Sequence, residues 1–260
     1  MFIEASYPRV ENEKARLISP EYTVGAGGSC VQFYYHMWGQ GTGALNVLLK
    51  EGDTTQGVPL WSLKGDQDNQ WRSARATVQT AGKFQVVFEG VIGSNYEGDI
   101  SIDDISVSPA PCPSYGSCSF EQDFCTWTTS TNSNDFTWYR LSPYQLAQIY
   151  TGANYPTADT TTQSVYGHFL WTASNFRSNL GNQSSTIYSE VLLAYKYQQG
   201  ACLSFNYALT GPTTLNIYAR ERPIGKNTTL LWTTQEGQGN QWNRTEIDIT
   251  IIADDVEVRE

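Results

Sequence analysis

Apolar and polar residues alternate with a period of two along much of this chain. Leu203, Phe205 and Tyr207 fall on one side of an extended segment, and Cys202, Ser204 and Asn206 fall on the other. The same alternation aligns Leu215, Ile217 and Ala219, then Leu45, Val47 and Leu49, and also Phe84, Val86 and Phe88. Each such segment reads as a half-buried strand. The run from Asp99 to Val107 breaks phase: Ile100 and Ile102 share a face, while Ile105 and Val107 fall on the opposite one. One inserted residue at Asp103-Asp104, a β-bulge, would return both pairs to the core. Short strands divided by turn residues predict an all-β sandwich. Tyr144 to Ile149 could form one helical turn, set in Thr- and Asn-rich text from Thr128 to Thr162 that reads as long surface loops.

The strand pattern is written twice. Cys30-Val31-Gln32-Phe33-Tyr34-Tyr35, then Gly39, Leu45-Asn46-Val47, Leu60-Trp61 and Asn69-Gln70-Trp71, form the first copy. About 172 residues later the second runs Cys202-Leu203-Ser204-Phe205-Asn206-Tyr207, then Gly211, Leu215-Asn216-Ile217, Leu231-Trp232 and Asn240-Gln241-Trp242. Two copies of one domain follow, expected at 1–112 and 118–260. Between them lies a short linker, 113–117, which prolines at 109, 111 and 113 make stiff, so that the domains are expected in a restricted arrangement.

Charge removes one class of partner. The formal net charge is −10 and the pI about 4.7, with no basic stripe to neutralise phosphates, which excludes nucleic acid. No apolar run of membrane-spanning length occurs, so this segment is not expected to insert in a bilayer. The N-terminal residues have neither the basic nor the long apolar region of a signal peptide.

The cysteines point to an oxidising compartment. Cys118 and Cys125 are seven apart, a spacing that closes a local loop, and Cys30 and Cys112 bracket the rest of the first copy. These are the expected disulfides. Cys202 takes the place of Cys30 in the second copy, where the equivalent of Cys112 lies beyond the chain's last residue; the alternative is a buried reduced thiol. Asn182, Asn227 and Asn243 open N-glycosylation sequons. Together these features predict an extracellular or cell-surface location, with a signal peptide and any membrane span outside this segment.

The segment Cys118-Ser119-Phe120-Glu121-Gln122-Asp123-Phe124-Cys125-Thr126-Trp127 resembles the opening of a MAM domain, the extracellular module of meprin, A5 antigen and receptor phosphatase mu. Further resemblances are Ala15-Arg16-Leu17-Ile18-Ser19-Pro20, Phe84-Gln85-Val86-Val87-Phe88-Glu89-Gly90, Gly98 to Ile105 and the closing Cys112. The resemblance implies two jelly-roll-like antiparallel sandwiches, with the first cysteine bonded to the second and the third to the fourth. It also implies that both domains are truncated here: the first lacks its opening strands, and the second its closing strand and last cysteine. The function implied is a non-enzymatic interaction or adhesion module of a membrane-associated parent, binding other extracellular proteins or another copy of itself. Alternatives are a carbohydrate-binding sandwich, or accessory domains of an extracellular enzyme encoded in the flanks.

Candidate chemistry is sparse. Glu121, Asp123, Asp99, Asp103 and Asp104 could offer oxygen ligands to Ca²⁺. The competing reading has them capping turns and binding backbone N–H at the bulge, and no cofactor is otherwise expected. His36 and His168 sit among aromatics without a nucleophile elbow or zinc motif, so no catalytic residue is expected. Trp61, Trp71, Trp232 and Trp242 either stack on sugars, anchor a protein interface, or pack in the core or at sheet edges, and binding residues are expected on loops such as Thr128 to Thr162.

Overall fold

The alternating segments form antiparallel strands in a computed structural model that describes residues 1–130, 137–150, 154–172, 184–197, 199–211, 213–235, 239–250 and 255–259. The chain divides into two units, Met1–Tyr115 with Glu221–Lys226, and Gly116–Arg220 with Asn227–Glu260.

The first unit contains β1 (Phe2–Ile3), β2 (Lys14–Ile18), β3 (Tyr22–Thr23), β4 (Ser29–Trp38) and β5 (Ala44–Glu51). It continues with β6 (Thr54–Thr55), β7 (Trp61–Lys64), β8 (Arg72–Val78), β9 (Lys83–Val91) and β10 (Asp99–Ser108). One sheet has the order β1-β10-β4-β8, and the other the order β2-β9-β5-β6, with β3 on β9 and β7 on β5. The sheets meet through aromatic rings. Phe33 of β4 stands edge-on to Trp61 at 5.2 Å and to Phe88 at 5.0 Å, and Tyr35 lies 5.2 Å from Trp61. All four are buried, as are Leu45, Val47, Leu49, Phe84 and Val86 from the alternating runs.

The phase break in β10 is a bulge. Asp103 pairs with Tyr34 and Ser106 with Gln32, leaving Asp104 and Ile105 opposite Phe33 alone, and Asp104 has φ of 48°. This returns Val107, half-buried, to the inward phase opposite Val31. The expectation that Ile105 regains the core fails: it belongs to the bulge itself and stays 41% exposed.

The second unit contains β11 (Thr128–Thr129), β12 (Tyr139–Leu141), α1 (Pro143–Ile149), β13 (Phe169–Trp171) and β14 (Ile187–Tyr188). It ends with β15 (Ala201–Tyr207), β16 (Leu215–Glu221), β17 (Thr228–Thr234), β18 (Asn243–Ile249) and β19 (Val256–Arg259). The sheet β11-β14-β19-β16-β17 is accompanied by the pairs β15-β18 and β12-β13. The ring cluster is repeated here: Phe205 and Tyr207 lie 5.7 and 5.3 Å from Trp232. Both copies thus join their sheets by a Phe and a Tyr of one strand against a Trp of the other sheet. The glycine nine residues after each repeat cysteine has positive φ, 113° at Gly39 and 78° at Gly211, so the turn out of each strand needs a residue without Cβ.

The stretch from Thr128 to Thr162 is not loop throughout. It holds β11, β12 and the helix, whose Ser142 accepts from Gln145 N while Gln145 Oε1 accepts from Ser142 N, a reciprocal cap with Pro143 in the first turn. Antiparallel sandwiches of this kind make both units β-sandwich domains.

Candidate functional sites

Cys30 is bonded to Cys112 and Cys118 to Cys125. Cys202 is unpaired and exposed on the polar face of β15, so a buried thiol does not describe it. The seven-residue loop after Cys118 needs left-handed backbone at Phe120 (φ 61°) and Cys125 (φ 53°). Its acidic side chains hold it in place. Asp123 Oδ1 accepts from Cys125 N at 2.7 Å, and the Glu121 carboxylate accepts from His168 N at 3.1 Å. Arg140 Nη2 donates to Gln122 O at 2.8 Å, and Glu190 Oε1 accepts from Gly116 N and the Thr126 hydroxyl.

On β10, Asp103 Oδ1 accepts the bulge amide of Asp104 at 2.9 Å, and Asp99 lies opposite Trp38. The five acidic candidates therefore divide between the units, Asp99, Asp103 and Asp104 in the first and Glu121 and Asp123 in the second. Three of them, Asp103, Glu121 and Asp123, bind backbone N–H. Among the described residues, no group of three or more His, Cys, Asp or Glu side chains is placed to hold a metal ion.

Two anionic centres escape sequence reasoning. Asp159 is 3% exposed and accepts from Thr161 N, Thr162 N, the Thr162 hydroxyl and Ser164 N. Burial pushes its carboxyl up, but those donors outweigh burial and hold it down at about 2. The close packing continues at Gly167, where a Cβ would stand 2.0 Å from Asp159 Oδ1. Glu89 of β9, 3% exposed, receives Arg16 at 2.6 Å, Lys14 at 3.2 Å and Asn46 Nδ2 at 3.2 Å from the two flanking strands. Burial works against its charge, and these donors keep the carboxyl below its ordinary range.

The tryptophans separate by position. Trp61 is 2% exposed, whereas Trp38 and Trp71 on the outer face of the β1-β10-β4-β8 sheet are 53% and 46% exposed. Trp71 lies 5.6 Å from the ring of His36, whose Nε2 is 3.0 Å from Asn69 Oδ1. Its counterpart Trp242 is covered instead: Phe169 stands edge-on at 5.2 Å and Ala158 O accepts from its Nε1. A concavity of about 310 Å³ in the first unit is lined by Phe2, Ile3, Glu4, Arg9, Glu13 and Lys14, among others, where Arg9 and Glu13 form an ion pair at 3.7 Å. Among the sequons, Asn227 is exposed, Asn243 is half-buried, and Asn182 lies outside the described residues. No helix among the described residues is long and apolar enough to cross a membrane.

The sequence profile of the MAM domain, meprin/A5/mu, matches residues 1–113 and 118–259. MAM domain-containing glycosylphosphatidylinositol anchor protein 1 of Gallus gallus is 48% identical over 114 residues, covering 44% of this chain and 12% of that protein. Anchor protein 2 of the same description from Mus musculus is 42% identical over 121 residues, covering 43% of this chain and 13% of that protein. Thyroid hormone-induced protein B of Xenopus laevis is 44% identical over 113 residues, covering 43% and 16%. The matched stretch is therefore a small part, 12–16%, of these curated relatives' own length. Among solved structures, the N-terminal CBM22-1-CBM22-2 tandem domain from Paenibacillus barcinonensis Xyn10C covers 93% of this chain and 74% of its own at 14% identity. Its TM-score of 0.35 is too low to inform fold or ligand. With the profile matching on both sides of the 114–117 junction and an antiparallel sandwich in each unit, the chain belongs to the MAM domain family.

Proposed function

We propose that the chain is a non-enzymatic extracellular interaction module, two MAM sandwiches that bind other extracellular proteins or a second copy. The match to MAM domains across both units carries this reading. It is supported by relatives whose names describe membrane anchoring through glycosylphosphatidylinositol, and by the two disulfides, which persist outside the cytosol. On this reading the parent protein is membrane-associated and the module sits at the cell surface. The buried acids Asp159, Glu89 and Glu190 serve the scaffold, leaving recognition to exposed loops and sheet faces. Size-exclusion chromatography with light scattering on the oxidised chain tests self-association, which should raise the mass with concentration. A strictly monomeric chain that also binds no cell surface contradicts the reading.

A second reading, glycan recognition, is favoured by the exposed Trp38 and Trp71 on one sheet face. A glycan array read with the native chain and Trp71→Ala tests it; a blank array removes it.

A further inference from the structure

The described sequons differ in exposure, and from this we infer that Asn227 carries an N-linked glycan while Asn243 does not. The inference rests on the extracellular reading above. A glycan acceptor must present its amide to a transferase and afterwards keep a hydrophilic oligosaccharide in water. Asn227 meets both demands. It is exposed, as are Thr228 and Thr229, and it directly precedes β17, the end strand of its sheet. Thr229, the hydroxyl residue of the sequon, lies on the same open stretch as Leu230, which is 49% exposed.

Asn243 fails the second demand. In the β15-β18 pair it lies opposite Tyr207, and Thr245 lies opposite Phe205. Directly opposed residues share a face of the sheet. Phe205 and Tyr207 use that face to pack on Trp232 of the other sheet, so Asn243 and Thr245 face the sandwich interior, in line with buried Ile247 and Ile249. The Asn243 amide donates to Gln241 O at 3.3 Å. Its counterpart in the first copy, Arg72, is 3% exposed. A glycan at half-buried Asn243 would leave from the face that Phe205 and Tyr207 use for packing.

The co-reactant is a lipid-pyrophosphate-linked oligosaccharide. Asn227 Nδ2 attacks the anomeric carbon of its first sugar, and an N–C bond forms as the C–O bond to pyrophosphate breaks. The electron pair leaves with the lipid pyrophosphate, and the amide nitrogen gives up one proton; nothing is oxidised or reduced.

The test secretes the whole chain from mammalian cells behind a supplied signal sequence and removes N-glycans with peptide N-glycosidase in ¹⁸O-water. Each formerly glycosylated asparagine then becomes labelled aspartate. The expected result is label at Asn227 and none at Asn243, with Asn227→Gln and Thr229→Ala each losing one glycan's mass and Asn243→Gln losing none. Label at Asn243, or secreted chain unlabelled at Asn227, overturns the inference. Secretory passage is imposed here, so such a failure bears on the site alone, whereas the extracellular reading fails through cell binding.

Discussion

Asp159 is an anion at neutral pH because hydrogen-bond donors of its own loop aim at it, and their combined effect exceeds the cost of burying the charge. Its carboxyl titrates at about 2 in the fold, against 3.8 ordinarily. A depressed folded value means the stabilisation is present above the ordinary value and is lost as pH falls toward the folded one. That difference corresponds to roughly 2 kcal/mol. Asp159→Asn should therefore destabilise the second unit by up to about that amount at pH 7 and flatten its acid dependence between about pH 5 and pH 2, as followed by tryptophan fluorescence in urea. Glu89 acts in the same direction through partners on other strands. Glu89→Gln should cost the first unit about 1–2 kcal/mol, because Arg16 and Lys14 are half-exposed and regain water when the carboxylate is gone. The two sites differ in legibility. The Asp159 loop was written locally, as Asp-Thr-Thr-Thr-Gln-Ser, but was masked by a Thr-rich stretch that reads as loop. Glu89 could not be read, since Arg16 and Asn46 reach it only through sheet pairing.

At the scale of elements, strands long enough to show two periods declared themselves. β5, β9, β15 and β16 all lie where alternation places them, and the slip at Asp103-Asp104 marks a real bulge. The two- and three-residue strands β11, β12, β13 and β14 are too short to carry a period, and β11 and β12 read as part of the surrounding loops. Strain and capping give separate tests. Asp104→Val should cost about 1–2 kcal/mol at its φ of 48°, whereas Asp104→Gly should be near neutral, both measured by thermal unfolding. Ser142→Ala removes half of the reciprocal cap on α1 and should cost about 1 kcal/mol. An unchanged melting temperature for Ser142→Ala would mean that packing of buried Leu146 alone holds the helix.

Across the whole molecule, a repeat of aromatic, glycine and cysteine positions produced two sandwiches with the same ring cluster joining their sheets. The family and fold were legible because these scaffold positions must recur wherever two sheets are joined in this way. A ligand surface has no such constraint, and the exposed Trp71 against the covered Trp242 shows how the same residue can differ between copies. Replacing Cys30 and Cys112 together by serine opens a loop of sequence separation 82 and should cost the first unit about 4–5 kcal/mol, read by calorimetry. The most direct measurement is binding of the oxidised, secreted chain to intact cells before and after surface proteolysis and, separately, glycosidase treatment. An interaction module for extracellular proteins gives saturable binding that proteolysis abolishes. Absence of binding by a chain that is also strictly monomeric, or binding that survives proteolysis and disappears with the glycans, contradicts it.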